Sequence, residues 1–205
     1  VRLGPAEVRF TTRDEGDQRA AAPADWTALK QVHGSRVVVV ERPGQHSGEE
    51  ADAAVTKARG AKLAVFTADC APVAFASAEG VIGVAHAGWK GLAEGVLERT
   101  AAAMRELGAT HIEAALGPCI HPECYEFSPA DLGIVAAVLG HTVRGRTEGG
   151  RPALNLPAGV RAALTRVGVA LDYVDERCTS CSADELYSHR ARKETERQAV
   201  VVWIP

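Results

Sequence analysis

Apolar residues fall along this chain in short valine-rich runs, separated by polar stretches that carry most of the glycine and proline. VRF around Val8, VVVVE from Val37, LAVF from Leu63, PVAFA from Pro72 and VIGVAHA from Val81 are such runs, as are IEAALG from Ile112, VALDYV from Val169 and AVVVWI from Ala199. Each has the length of a strand, is rich in β-branched residues and is bounded by turn formers, so each is predicted to be a buried strand. Two stretches follow a helical period instead. In LAEGVLERTAAAMREL, Leu92, Val96, Leu97, Met104 and Leu107 share one face while Glu94, Glu98 and Arg105 lie off it, predicting one continuous helix. Leu156, Val160, Leu164 and Val167 repeat the pattern around Pro157, a residue suited to a first helical turn. A third, weaker helix is expected after Pro129.

Strands outnumber helices and do not alternate strictly with them. That favours an α/β (α+β) sandwich, a mixed sheet flanked by helices, over a doubly wound parallel fold. A chain of 205 residues is long enough for one well-cored domain and short for two, so a single domain over 1–205 is expected. RAAAPAD from Arg19 reads as a loop, and the polar, glycine-rich residues 141–152 as an exposed loop or hairpin.

Charge and cysteine usage narrow the function. The formal net charge is −3 and the basic residues are scattered, which excludes the basic stripe of a nucleic-acid binder and the polybasic flank of a membrane anchor. No apolar stretch reaches the ~18 residues of a membrane span. VRLGPAEVRF lacks the pattern of a secretory signal, leaving a cytoplasmic location as the default expectation. The five cysteines, at 70, 119, 124, 178 and 181, are odd in number and irregular in spacing, which fits thiols or metal ligands better than a disulfide framework.

Metal-competent residues sit at the ends of three predicted strands. His33 precedes a strand in KQVHGSRVVVV, Thr67, Asp69 and Cys70 lie between two apolar runs in LAVFTADCAPVAFA, and His86 ends a strand in VIGVAHAGWKGL. Taken singly, a cysteine beside buried strands is ordinarily a small core residue, and a histidine at a strand end a hydrogen-bonded structural group. Together, one thiolate and two imidazoles form a borderline-soft donor set that suits tetrahedral Zn²⁺ with one open position, with Cu²⁺ as the alternative ion. An open position supplies an ionised water or polarises a substrate oxygen. Without a metal, Cys70 and His86 would instead suit a nucleophile and its base.

QVHG, ADAAVT, TADCAPV, HAGWKG, GPCI with CYEF, and SHR followed by RQ occur here in an order that resembles the YfiH family, also known as the laccase-domain, polyphenol oxidase or peptidoglycan editing factor family. The resemblance runs from about Arg9 to Ile204. It implies a YfiH-like sandwich and a zinc site at His33, Cys70 and His86. It also implies purine nucleoside chemistry: phosphorolysis of adenosine, inosine and methylthioadenosine, and deamination of adenosine. Arg13 in FTTRDEGD and Arg190 in SHR match family arginines and, with Lys90, are the candidates for contact with substrate or phosphate, which arginine grips bidentately. The chain departs from the family pattern in a shorter segment between Arg13 and Gln31, in Lys90 where arginine is commoner, and in Glu196 where a glycine usually precedes the RQ pair.

The expected partners are therefore small molecules, purine nucleosides and phosphate, with the chain a monomer or small homo-oligomer. Two other activities compete: a copper-dependent polyphenol oxidase, for which seven scattered histidines without HxH pairs are a poor match, and an amidase acting on peptidoglycan precursors. A purely structural zinc module is disfavoured, because closed sites ordinarily have four protein ligands and only three are evident. Cys178 and Cys181 form a CxxC, and with Cys119 and Cys124 they allow a four-cysteine zinc site or a redox pair. Partly buried thiols are the simpler expectation.

Overall fold

A computed structural model describes all residues, 1–205. Its thirteen strands are β1 (Arg2–Leu3), β2 (Ala6–Phe10), β3 (Trp26–Ala28), β4 (Val37–Val40), β5 (Ala53–Thr56), β6 (Lys62–Thr67), β7 (Ala71–Ser77), β8 (Ile82–Ala87), β9 (Ile112–Leu116), β10 (Arg144–Arg146), β11 (Pro152–Leu154), β12 (Ala170–Val174) and β13 (Gln198–Trp203). The helices are α1 (Trp89–Ala93), α2 (Val96–Glu106), α3 (Pro129–Leu139), α4 (Leu156–Arg166) and α5 (His189–Arg192). One sheet has the order β1-β2-β13-β6-β3 and a second the order β12-β9-β7-β8-β5-β4, while β10 and β11 pair as a separate hairpin. Both large sheets are mixed: β3–β6, β4–β5 and β9–β12 run parallel, and the other pairs run antiparallel.

The strands' side-chain alternation divides the interior into layers. Leu63, Val65, Val200 and Val202 of the first sheet meet Val38, Ala54, Ala74, Ile82 and Val84 of the second in a core between the sheets. The opposite face of the second sheet, with Val55, Val73, Phe75 and Ala85, packs on Leu92, Leu97, Met104, Leu156, Val160 and Leu164 of the helices in the larger core. The first sheet turns Ala64, Phe66, Ala199 and Val201 outward, against Trp26 and Trp203. The α+β sandwich expected from the sequence is thus a helix–sheet–sheet stack.

Every predicted strand is present, but β12, expected to be buried, is exposed or half-buried along its length. Three short strands, β1, β3 and β5, were not anticipated, because a two-residue RL, a three-residue WTA and an alanine-rich AAVT carry little β-branched signal. The continuous helix predicted from Leu92 is corrected. The chain turns helical earlier, at Trp89, and breaks at Gly95, whose φ of 83° lies in the left-handed region that only glycine enters without strain. Residues 141–152 contribute a short helical turn and most of the β10–β11 hairpin, with Val143 buried beneath it. No helix is long and apolar enough to cross a membrane.

Candidate metal centre

The chain passes from the first sheet to the second twice near one end of the sandwich, between β3 and β4 and between β6 and β7. His33 lies on the first crossing and Cys70 on the second, while His86 lies near the end of β8, with Pro72 of β7 as its register partner. These connections bring residues far apart in sequence together: one ligand atom from each of His33, Cys70 and His86 lies within 4.8 Å of the other two. The imidazole rings of His33 and His86 meet edge-on, their centroids 4.7 Å apart.

Asp52 organises both histidines. It is fully buried, and its Oδ1 lies 2.8 Å from His86 Nδ1, turning Nε2 of that ring toward the trio. Its carboxylate also accepts the backbone N–H groups of Val32 (3.2 Å), His33 (2.9 Å) and Gly34 (2.8 Å). Those bonds fix a turn in which His33 holds a φ of 62°, an unfavourable region for a residue with a Cβ. Burial disfavours the Asp52 carboxylate, but His86 and the N–H donors outweigh it and leave its pKa below the ordinary value. This carboxylate–histidine arrangement is the one that orients metal-bound imidazoles.

The glycines of HAGWKG follow from the same packing. A Cβ on Gly88 would stand 2.8 Å from the His33 ring and 3.2 Å from Cys70 Sγ, and one on Gly91 would stand 2.5 Å from the carbonyl oxygen of Gly34. Gly117 is held to glycine by Phe10, whose ring atoms would lie 2.7 Å from an added Cβ.

Burial pushes the Cys70 thiol up, but the neighbouring His86 and His33 more than reverse this and bring it down to about 6. Burial correspondingly disfavours the His86 cation, while Cys70 and Asp52 raise it to about 9. A thiol that ionises readily beside two imidazoles is a donor set able to hold a metal ion. Tetrahedral zinc requires ligand atoms roughly 3.3–3.8 Å apart, a spacing compatible with this cluster.

The trio lies at one side of a cavity of about 700 Å³. Phe66, Trp89 and Tyr125 give it an aromatic wall, and Trp89 and Tyr125 are braced edge-on by Phe127. Arg19, Lys30, Arg190, Lys193 and Arg197 also line it. The Arg190 guanidinium lies over the Tyr125 ring, 5.0 Å from its centroid. Burial, and then the nearby Arg19, lower the pKa of Arg197. Thr67 Oγ1, buried in the lining, has no hydrogen-bond partner within the protein.

Asp69, with a φ of 94°, holds the cavity's outer loops. Its carboxylate accepts Thr179 Oγ1 at 2.7 Å, Ser188 Oγ at 2.6 Å and the Arg190 backbone N–H at 2.6 Å. It therefore shapes the site by anchoring the SHR segment next to the Cys70 turn.

Of the residues singled out in the sequence, the structure brings together His33, Cys70, His86 and Arg190. Arg13 and Lys90 do not line the cavity. The Arg13 guanidinium donates to Glu194 and to the Leu186 carbonyl and stacks on Tyr187, 4.5 Å from the ring centroid, so its charge is already matched within the protein. Lys90 is exposed, its Nζ 5.6 Å from the centroid of the Trp89 ring. Arg19, Lys30, Lys193 and Arg197 supply the cavity's other cations. Arg197 stands in the quoted RQ pair, while Arg19 lay in a segment with no distinguishing pattern. The cysteines beyond Cys70 separate: Cys124, Cys178 and Cys181 cluster with sulfurs within 4.8 Å of one another, whereas Cys119 is fully buried and outside that cluster.

A mixed-sheet sandwich with a His–Cys–His cluster beside a cation-lined cavity defines a class of metal-binding-capable α+β proteins. The chain belongs to the laccase-domain family, described as multi-copper polyphenol oxidoreductase laccase, whose sequence profile matches residues 5–205. It is 41% identical over 186 residues to a purine nucleoside phosphorylase of Streptomyces coelicolor, covering 89% of this chain and 76% of that protein. A purine nucleoside phosphorylase of Streptomyces griseus is 40% identical over 205 residues, covering 98% and 82%. Among solved structures, YlmD from Geobacillus stearothermophilus superposes with a TM-score of 0.83 at 28% identity, covering 98% of this chain and 93% of that one.

Proposed function

We propose that this protein is a metal-dependent purine nucleoside phosphorylase. The observation that carries the reading is one cavity uniting three features: the His33–Cys70–His86 cluster, an aromatic wall, and five cations of which Lys30 alone forms an ion pair, with Glu50. The half-buried Arg197 and the exposed Arg19 favour an anion between them, since an anion offsets the burial of the Arg197 cation and relieves its repulsion from Arg19, the two causes that lower its pKa. Phosphate fits that place, held by Arg19, Arg190, Lys193 and Arg197. Phe66, Trp89 and Tyr125 offer faces on which a purine stacks, and the unpaired Thr67 hydroxyl offers a hydrogen bond to the nucleoside. The names of the Streptomyces relatives point to the same substrates.

His33, Cys70 and His86 would hold the ion, which supplies Lewis-acid polarisation of a nearby oxygen when bound. In the reaction, a phosphate oxygen forms a bond to sugar C1′ as the bond from C1′ to the purine nitrogen breaks. The products are the sugar 1-phosphate and a free purine that takes up a proton. The arginines align the phosphate and neutralise its charge as it approaches. Adenosine and methylthioadenosine are substrates on the same grounds, and hydrolytic deamination of adenosine is a secondary activity of the same cavity.

The test is release of hypoxanthine from inosine. It should require phosphate, and Arg197→Ala should raise the phosphate KM about 10–100-fold, the equivalent of losing one charge-assisted contact, while leaving metal content unchanged. Hypoxanthine release that ignores phosphate, or no release at all, would overturn the proposal.

The family description favours a second reading, copper-dependent oxidation of polyphenols, and an N₂S donor set does suit copper. On that reading the copper-loaded protein oxidises a phenolic dye with uptake of oxygen, and the zinc-loaded protein does not.

A further inference from the structure

The cluster formed by Cys124, Cys178 and Cys181 lies outside the His33–Cys70–His86 centre, and we propose that it is a second metal site, binding a thiophilic divalent ion such as zinc through three thiolates. Two loops build it. The 119–124 segment carries Cys124 at the end of a short helical turn, and the 178–181 segment carries the CxxC. Backbone pairing joins them: Cys119 and Cys178 form a parallel bridge, and the Thr179 N–H donates to the Cys119 carbonyl at 3.1 Å.

The three sulfurs lie within 4.8 Å of one another, and Cys124 Sγ and Cys181 Sγ are 3.3 Å apart. Thiolates on a common zinc stand about 3.8 Å apart, so small side-chain adjustments bring all three onto one ion. A second observation points the same way. The backbone N–H of His121 donates to Cys178 Sγ at 3.4 Å. A backbone donor on the first sulfur of a CxxC offsets part of what burial costs a thiolate there, the form of the sulfur that a metal binds. Three soft donors select zinc over magnesium or calcium. Cys178 is buried while Cys181 is exposed, so the cluster lies at the protein surface, open to an incoming ion.

The site bears on the cavity through its neighbours. Cys124 precedes Tyr125 of the aromatic wall, and Cys178 precedes Thr179, which donates to Asp69 beside Cys70. An ion here would staple the two outer loops that frame the cavity.

Zinc per chain, measured by mass spectrometry on intact protein after zinc loading and desalting, tests the site and does not depend on which reaction the cavity performs. The wild type should hold two equivalents. Cys181→Ser and Cys124→Ser should each lose one, and Cys70→Ser should lose the other. Cobalt loading gives a readout that needs no folded Cys124 variant. The sulfur-to-cobalt absorption of the wild type should survive mostly intact in Cys70→Ser and be largely lost in Cys181→Ser. A single equivalent in the wild type that Cys124→Ser and Cys181→Ser leave unchanged would overturn the proposal. So would a Cys124–Cys181 disulfide persisting in zinc-loaded protein.

Discussion

Asp52 shows how much one side chain can fix. It is fully buried, with one oxygen on His86 and both oxygens on the three N–H groups of the His33 turn, so it positions two candidate ligands at once. Replacing it with alanine leaves those donors and the His86 Nδ1 unpartnered. Asp52→Ala should therefore lower zinc affinity about 10–100-fold in a chelator competition and destabilise the protein by about 3 kcal/mol or more in urea unfolding. Asp52→Asn should be milder, because an amide oxygen still accepts from the turn. Equal zinc affinity in wild type and Asp52→Ala would mean that the trio is oriented by something else. His33 and Cys70 were legible as candidates from their places at strand ends. Asp52 was not, because within ADAAVT an aspartate has no pattern to mark it as the partner of a histidine on another strand.

At the scale of elements, the short β12 and the segment that follows are tied down by charge as well as by pairing. Asp175 is buried and accepts three hydrogen bonds from Arg177, which also reaches Glu185. Burial disfavours the Asp175 carboxylate, but the Arg177 contacts outweigh it and depress its pKa below the ordinary value. In the unfolded chain the same group titrates near ~3.9, so at acid pH the unfolded state binds the extra proton. The stability from this pair is thus complete above about pH 4 and falls away as pH drops through the lower, folded pKa. Asp175→Asn should be less stable than wild type by about 1–3 kcal/mol at pH 7, with the gap closing in urea titrations at successively lower pH below about 4. A gap that stays constant with pH would assign the loss to packing. The Gly95 break between α1 and α2 belongs to this scale too. The apolar face of the stretch was readable from its period, but the register change was not, since a glycine within a helical pattern is as compatible with a continuous helix as with a break.

For the molecule as a whole, the His33–Cys70–His86 centre sits where the chain crosses between sheets, so a bound ion ties together both crossings and β8. An ion that binds only the folded state adds stability by mass action, about 4 kcal/mol at a free concentration a thousand times its dissociation constant. Stripping the metal with a chelator should therefore lower the Tm by about 10 °C and abolish turnover, and added zinc should restore both. An unchanged Tm in fully stripped protein would mean that the ion contributes nothing to joining the crossings. The cavity is assembled at the same scale: Arg19, Arg190 and Arg197 come from three segments and meet only once the last strand, β13, lies between β2 and β6.

The sequence by itself determined most of the strands, the helical faces, the mixed-sheet class and the family, and it marked His33, Cys70 and His86. Those features are local: a period, a turn residue or a motif specifies each without reference to distant segments. Which cations face the cavity was decided by tertiary structure. Arg13 fits an arginine motif as well as Arg190 does, yet Glu194, far along the chain, takes its charge, while Arg19 and Arg197 are left to the cavity. The cysteines follow the same rule. Spacing treats four of them alike, and only the pairing of the 119–124 and 178–181 loops gathers Cys124, Cys178 and Cys181 and leaves Cys119 in the core. A charge or a thiol takes its role from its nearest partners in space, and those are set by chain crossings that no local pattern encodes.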